Sequence, residues 1–161
     1  MCRHILVTLD GSTYSERALT YVSDLAAQGQ ARVTLLTVIP AELPFHTDSA
    51  AAGAQAEASW SYLRQQAAHV RDEGIANPAI EVRQGVPFRA IVETPRELAA
   101  DLIVMSTQGL SADSEYRLGA VASKVLASAP CPVLMVRVER PAPPRTPAEE
   151  RWQAEGGSNV G

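Results

Sequence analysis

Cysteine is nearly absent from this 161-residue chain, and the two that occur, Cys2 and Cys131, stand far apart with no CxxC pair and no Cys/His ligand spacing. That excludes a disulfide framework and a structural zinc site. Lysine is scarcer still. Lys124 is the only one, the other basic residues are scattered arginines, and the formal net charge is −4, so the chain lacks the basic stripe of a nucleic-acid-binding protein. No apolar run approaches the ~20 residues of a membrane span, and Arg3-His4 leads into Ile5-Leu6-Val7 without a signal-peptide pattern. The expected setting is a reducing cytoplasm, with neither membrane nor nucleic acid as partner. The P-loop signature G-x-x-x-x-G-K-[ST] is missing as well. What remains is ordinary globular material, 46% hydrophobic and 20% charged, long enough for one domain with its own core.

The apolar residues fall into alternating short runs and helical periodicities. Arg3 to Leu9 reads as a strand ending in the turn Asp10-Gly11-Ser12, whose serine also suits a helix N-cap. From Tyr14 to Gln28, Ala18, Leu19, Tyr21, Val22, Leu25 and Ala26 recur at helical spacing, with Gly29 as the expected C-cap. Arg32 to Ile39 is a β-branched strand closed by Pro40. A proline-containing loop covers 41–49. Next comes a long helix over 50–73, with Trp60, Leu63, Ala67 and Val70 on one face and Gly74 at its end. Ala79 to Gln84 is a third strand. Pro87 opens a helix to about Ala100 that Pro95 should kink or split. Leu102 to Met105 is a continuous apolar run of the doubly buried kind. A loop with Gly109 follows, then a helix from Gly119 to about Ser128, the break Pro130-Cys131-Pro132 and a last strand from Val133 to Val138.

This β-α-β-α-β-α-β-α-β order implies a parallel sheet with helices on both faces. Ligands of such sheets bind beyond the carboxyl ends of the strands, where the strand order reverses. The loops at Asp10-Gly11-Ser12 and at 106–118 would both lie there. After Arg140 the composition changes to Pro141, Pro143, Pro144 and Pro147, with Gly156-Gly157 near the end. A domain over 1–140 and a flexible tail over 141–161 are expected, the tail carrying one short helix capped by Thr146 and Glu149 and a single bulky apolar residue, Trp152.

Three stretches identify a family resemblance: Ile5-Leu6-Val7-x-Leu9-Asp10-Gly11-Ser12, Ala100-Asp101-Leu102-Ile103-Val104-Met105, and Ala129-Pro130-Cys131-Pro132-Val133-Leu134-Met135-Val136-Arg137. With them the chain resembles the universal stress proteins of the UspA type over Ile5 to Arg137. The resemblance implies a five-stranded doubly wound parallel sheet, of the adenine nucleotide alpha hydrolase-like kind, in the order 3-2-1-4-5. It also implies a homodimer joined through the last strand at Val133, Leu134, Met135, Val136 and Arg137.

Many members of that family bind ATP through G-x-x-G-x9-G-[ST], whose positions here are Ser106, Gly109, Gly119 and Ala120. The spacing is intact and both later glycines match, but serine replaces the first glycine and alanine the hydroxyl residue. By resemblance, Asp10 serves the ribose side and Val38 with Met105 the adenine side. Gly11, Ser12, Arg117 and Val121 complete the candidate nucleotide set, for ATP or AMP, with Mg²⁺ only alongside ATP. Alanine at 120 forfeits a hydroxyl contact worth about 1 kcal/mol, while Ser106 offers a hydroxyl of its own. Where relatives commonly carry basic residues, this loop has Leu110 and Glu115, with Asp113 between them and Arg117 as its one cation.

Two readings follow: a nucleotide-responsive stress or regulatory protein, or a homodimeric interaction module of the same fold that no longer binds nucleotide. On the second, Gly109 and Gly119 would be there for positive φ, and Asp10 as a helix cap. Neither reading is an enzyme; a third, slow ATP hydrolysis, stays open but requires a general base and a metal arrangement, and its candidate acids, Asp10 and Asp113, have no convincing partner in the sequence. Gly109-Leu110-Ser111-Ala112-Asp113 only partly matches the elbow G-x-S-x-G, and no histidine follows it. His46 with Asp48 or Glu42 reads as a solvated loop and His69 as surface. Cys131 reads as a small packed residue, and Cys2 as a terminal thiol exposed to oxidation.

Overall fold

Three consecutive residues, Ile5, Leu6 and Val7, have no solvent exposure. Because successive strand side chains point to opposite sides, only a strand covered on both faces achieves this. The computed structural model, which describes residues 2–41, 49–109 and 118–137, places them in β1 (His4–Thr8), the middle of a five-stranded parallel sheet. Around it lie β2 (Arg32–Pro40), β3 (Ala79–Gly85), β4 (Leu102–Ser106) and β5 (Val133–Val136) in the order β3-β2-β1-β4-β5, as expected. Val7 pairs with Leu35 on one side and Val104 on the other. The proposed tail over 141–161, the loop at 42–48 with His46 and the segment 110–117 lie outside the described residues.

The alternation of β1 divides the core in two. Ile5 and Val7 join Leu35, Val104 and Val136 beneath α2 (Ala18–Gly29) and α3 (Ser49–Asp72), with Val22, Leu63 and Val70 as the helical contribution. Leu6 faces the other way, with Leu36, Ile103 and Met105, toward α4 (Pro87–Leu98) and α5 (Ala120–Ser128). Among the described residues, no helix is long and apolar enough to cross a membrane, and no three His, Cys, Asp or Glu side chains are grouped to hold a metal ion.

Several local expectations are corrected. The first helix is two: α1 (Thr13–Glu16) ends at Arg17 and α2 begins at Ala18. Tyr21 and Leu25, apolar and in helical register, face solvent at 55% and 36% exposure. The left-handed residue closing α2 is Gln30, one beyond Gly29. Pro95 does not split α4. Its missing N–H falls within the last turn, beside a Thr94 Oγ1 that donates to Ala90 O at 2.7 Å, and the helix ends by itself at Leu98. Cys2 is no exposed thiol. It is half-buried, donates to Asp101 Oδ1 at 2.9 Å, and is pushed up to about 11 by burial first and by that carboxylate second. Cys131 packs against the α4–α5 side of the core, as read.

The two sheet edges differ. On β3, Arg83 bonds Glu81 at 3.0 Å and Glu97 of α4 at 2.6 Å, a charged edge of the kind that resists pairing. On β5 no charge occurs before Arg137, and Leu134 is 37% exposed.

At the amino end of β1, His4 is a buried imidazole. Its Nδ1–H donates to Leu98 O at 3.1 Å, which leaves Nε2 to accept from Thr34 Oγ1 at 2.8 Å. Burial lowers its pKa from the usual 6.5. A ring with a depressed folded-state pKa stabilises the fold fully above the unfolded value and loses that contribution as pH falls through the folded one. Urea midpoints should therefore decline below about pH 6.5. In His4→Phe the acid slope should flatten; an unchanged slope would assign the titration to another group.

Candidate functional site

The strand order reverses between β1 and β4, and a cleft of about 470 Å³ opens at their carboxyl ends. Its floor and one wall are apolar, with Leu36, Val38 and Met105 from the strands and Ile91 from α4. Asp10 stands at the mouth, immediately after β1. The turn Asp10-Gly11-Ser12 fixes it there: Asp10 Oδ1 accepts from Ser12 N at 3.0 Å and from Ser12 Oγ at 2.5 Å. Ser12 Oγ also accepts from Ser15 N at 3.1 Å, the N-cap expected of it. Gly11 supplies the positive φ (81°) that the turn needs. Neither Gly11 nor Ser12 lines the cleft; both work by holding Asp10.

Across the mouth, the chain leaves β4 at Ser106 and passes Thr107 and Gln108 to Gly109. Asp10 Oδ2 lies so close to Gly109 that a Cβ there would overlap it, whereas a Cβ on Gly119 would meet only Thr107 O, at 3.4 Å. Neither glycine has positive φ; Gly119 is extended at φ −57° and ψ 152°. Their conformational freedom is therefore not what the loop uses. Gly109 is required by close approach, and Gly119 is not required by space. The Ser106 hydroxyl, expected to face a phosphate, instead donates to Gln108 O. Being the last residue of β4, Ser106 needs no special φ.

The helix α5 begins here. Gly119 N donates to Thr107 O at 2.9 Å and Ser123 N to Gly119 O at 2.9 Å. With no side-chain cap, the first N–H groups, of Ala120, Val121 and Ala122, are left at the cleft with the positive end of the helix dipole. All three residues line it. Of the candidate set, the structure thus brings together Asp10, Val38, Met105, Ser106, Gly109, Gly119, Ala120 and Val121; Arg117 lies outside the described residues.

Sequence reasoning missed the opposite wall. Gln55 and Ser59, one turn apart on α3, line the cleft. That helix is anchored beside the Asp10 turn, since Tyr62 Oη donates to Glu16 Oε1 at 3.1 Å and Gln66 Nε2 to the same oxygen at 3.3 Å. The only available signal was the i, i+4 pair of polar residues in an otherwise alanine-rich segment.

Comparison with known proteins agrees with this geometry. The model of the universal stress protein family matches residues 1–137. A universal stress protein of Thermus aquaticus is 37% identical, the match covering 85% of this chain and 100% of that one. The solved structure of UspA from Lactobacillus plantarum superposes with a TM-score of 0.76 at 27% identity, covering 84% of this chain and 97% of that one. A universal stress protein crystallised in complex with cAMP does so at 0.63 and 25% identity, covering 84% and 96%. With its sheet order and its Asp10 turn in place, the chain belongs to the universal stress protein family.

Proposed function

We propose that this protein binds an adenine nucleotide with a single phosphate, AMP in preference to ATP, and acts as a homodimeric regulatory binding protein without turnover. The observation that carries the reading is the uncapped N-terminus of α5 opening on a cleft whose far side is apolar: one end suits a phosphate, the other a base. Asp10 stands between them, where ribose hydroxyls would donate to it. A cAMP complex in a relative of this fold supports the ligand class. The preference for one phosphate follows from charge. Among the described residues no lysine or arginine lines the cleft, so the helix end, about half a positive charge, is its main attraction. Between Gly109 and Leu118 the sequence adds Asp113 and Glu115 against one cation, Arg117, a net negative charge that disfavours further phosphates.

Calorimetric titration tests this directly. AMP should bind at micromolar to sub-millimolar concentration and ATP at least about threefold more weakly, with Mg²⁺ narrowing the gap. Absence of heat with both at millimolar concentration would sink the proposal.

One observation favours the alternative, a dimeric module without nucleotide: the Ser106 hydroxyl and the Gly119 N–H are both satisfied inside the loop. The same titration decides between them. For either reading the partner surface is the uncharged β5 edge. Leu134→Lys should shift gel filtration from dimer to monomer, and a chain ending at Arg140 should remain a dimer. A monomeric wild type would remove the dimer from both.

A further inference from the structure

We infer that Gln55 reads the edge of the bound base, an assignment that rests on the nucleotide reading above. A cleft whose base side is built from Val38, Ile91 and Met105 can exclude water from a flat ring but cannot sense the polar substituents on its edge, because apolar contact discriminates weakly between isosteres. Discrimination needs a hydrogen-bonding group with capacity to spare. Most hydroxyls of the lining have already spent their single donor. Thr37 Oγ1 donates to Leu9 O at 2.9 Å, Ser15 Oγ to Ser12 O at 2.9 Å, Ser59 Oγ to Gln55 O at 3.0 Å, and Ser106 Oγ to Gln108 O. The side-chain amide of Gln55 has no partner among the described residues, yet it lines the cleft. It projects from a helix whose position is fixed through Tyr62 and Glu16, not from a free loop.

A primary amide presents one acceptor and one pair of donors side by side. Against adenine, Oε1 accepts from the exocyclic amine and Nε2 donates to the neighbouring ring nitrogen. Rotated by half a turn, the same amide accepts from the guanine ring N–H and donates to its carbonyl. Gln55 therefore tolerates either purine while rewarding a substituted base edge over a bare one. A carboxylate at this position would offer two acceptors, matching the two adjacent donors of guanine and opposing the lone pair of the adenine ring nitrogen.

The test is titration of the full chain with AMP, GMP and the purine ribonucleotide lacking an exocyclic group, in wild type, Gln55→Leu and Gln55→Glu. Wild type should bind AMP about fivefold more tightly than the unsubstituted purine nucleotide, and Gln55→Leu should erase that difference. Gln55→Glu should move the AMP-to-GMP affinity ratio at least about tenfold toward GMP. Since Gln55 is exposed and its amide has no partner among the described residues, both variants should keep the wild-type melting temperature. Ratios unchanged within about twofold in both variants, with AMP still bound, would overturn the role of Gln55 and leave the nucleotide reading standing. A wild type that binds none of the three overturns both.

Discussion

Gly109→Ala is expected to weaken AMP binding at least thirtyfold, roughly 2 kcal/mol, while the protein remains folded. The single added carbon would occupy space already held by Asp10 Oδ2. Asp10 has little room to yield, because its other oxygen is gripped by the Ser12 N–H and hydroxyl. Either the carboxylate swings away from the cleft or the loop from Thr107 to Gly109 lifts, and each outcome separates the ribose side from the phosphate side. Gly119→Ala is the control. Its Cβ meets Thr107 O at an ordinary contact distance and its φ of −57° suits any residue, so affinity should change less than about threefold. Equal losses from the two variants would show that the loop, not the Asp10–Gly109 approach, sets the site.

Asp101→Ala should be the most destabilising single polar substitution in the described structure, by about 2–3 kcal/mol and roughly 5–10 °C in Tm. The carboxylate sits at the start of β4 and accepts from Cys2 Sγ at 2.9 Å, from Arg3 N at 2.9 Å and from His4 N at 3.1 Å, so it pins the beginning of β1 to β4. The Cys2 thiol first, and the Arg3 backbone N–H next, hold its pKa at about 2, below the ordinary 3.8. A carboxyl depressed in the folded state stabilises the protein fully above the unfolded pKa and ceases to do so as pH falls through the folded value. Wild type should therefore lose stability between about pH 4 and pH 2 with a component that Asp101→Ala lacks. Asp101→Asn, keeping one acceptor oxygen, should lose about half as much as alanine at neutral pH. Urea unfolding of the three proteins at pH 7 and pH 3 checks both statements; parallel losses at the two pH values would mean that the charge is immaterial.

The sheet was readable because its strands are buried twice over: runs such as Leu102 to Met105 and Ile5 to Val7 have no polar alternation, and turn residues end them. Helix faces were less readable. Tyr21 and Leu25 keep helical register with Val22 yet lie in solvent, because periodicity records spacing and not which flank of the stripe meets the sheet. The site was legible in its spacing and not in its reasons. Positions 109 and 119 carry the same residue type, but one is set by a carboxylate that arrives from the other end of the chain and the other by nothing steric. The importance of Asp101 and the place of Gln55 depend on contacts with residues far off in sequence, which no local pattern encodes.

The pairing of β1 with β4 also governs the order in which this molecule can be made. Residues 4 and 101 meet across a separation of 97 positions, and β2 is the only neighbour that β1 can acquire early. During synthesis, the far edge of β1 and its Leu6 face stay uncovered until β4 and α4 have left the ribosome. Contacts of such span form slowly and leave apolar strands open to wrong pairing meanwhile. Nascent chains halted before residue 101 should thus be captured by chaperones that released full-length protein escapes.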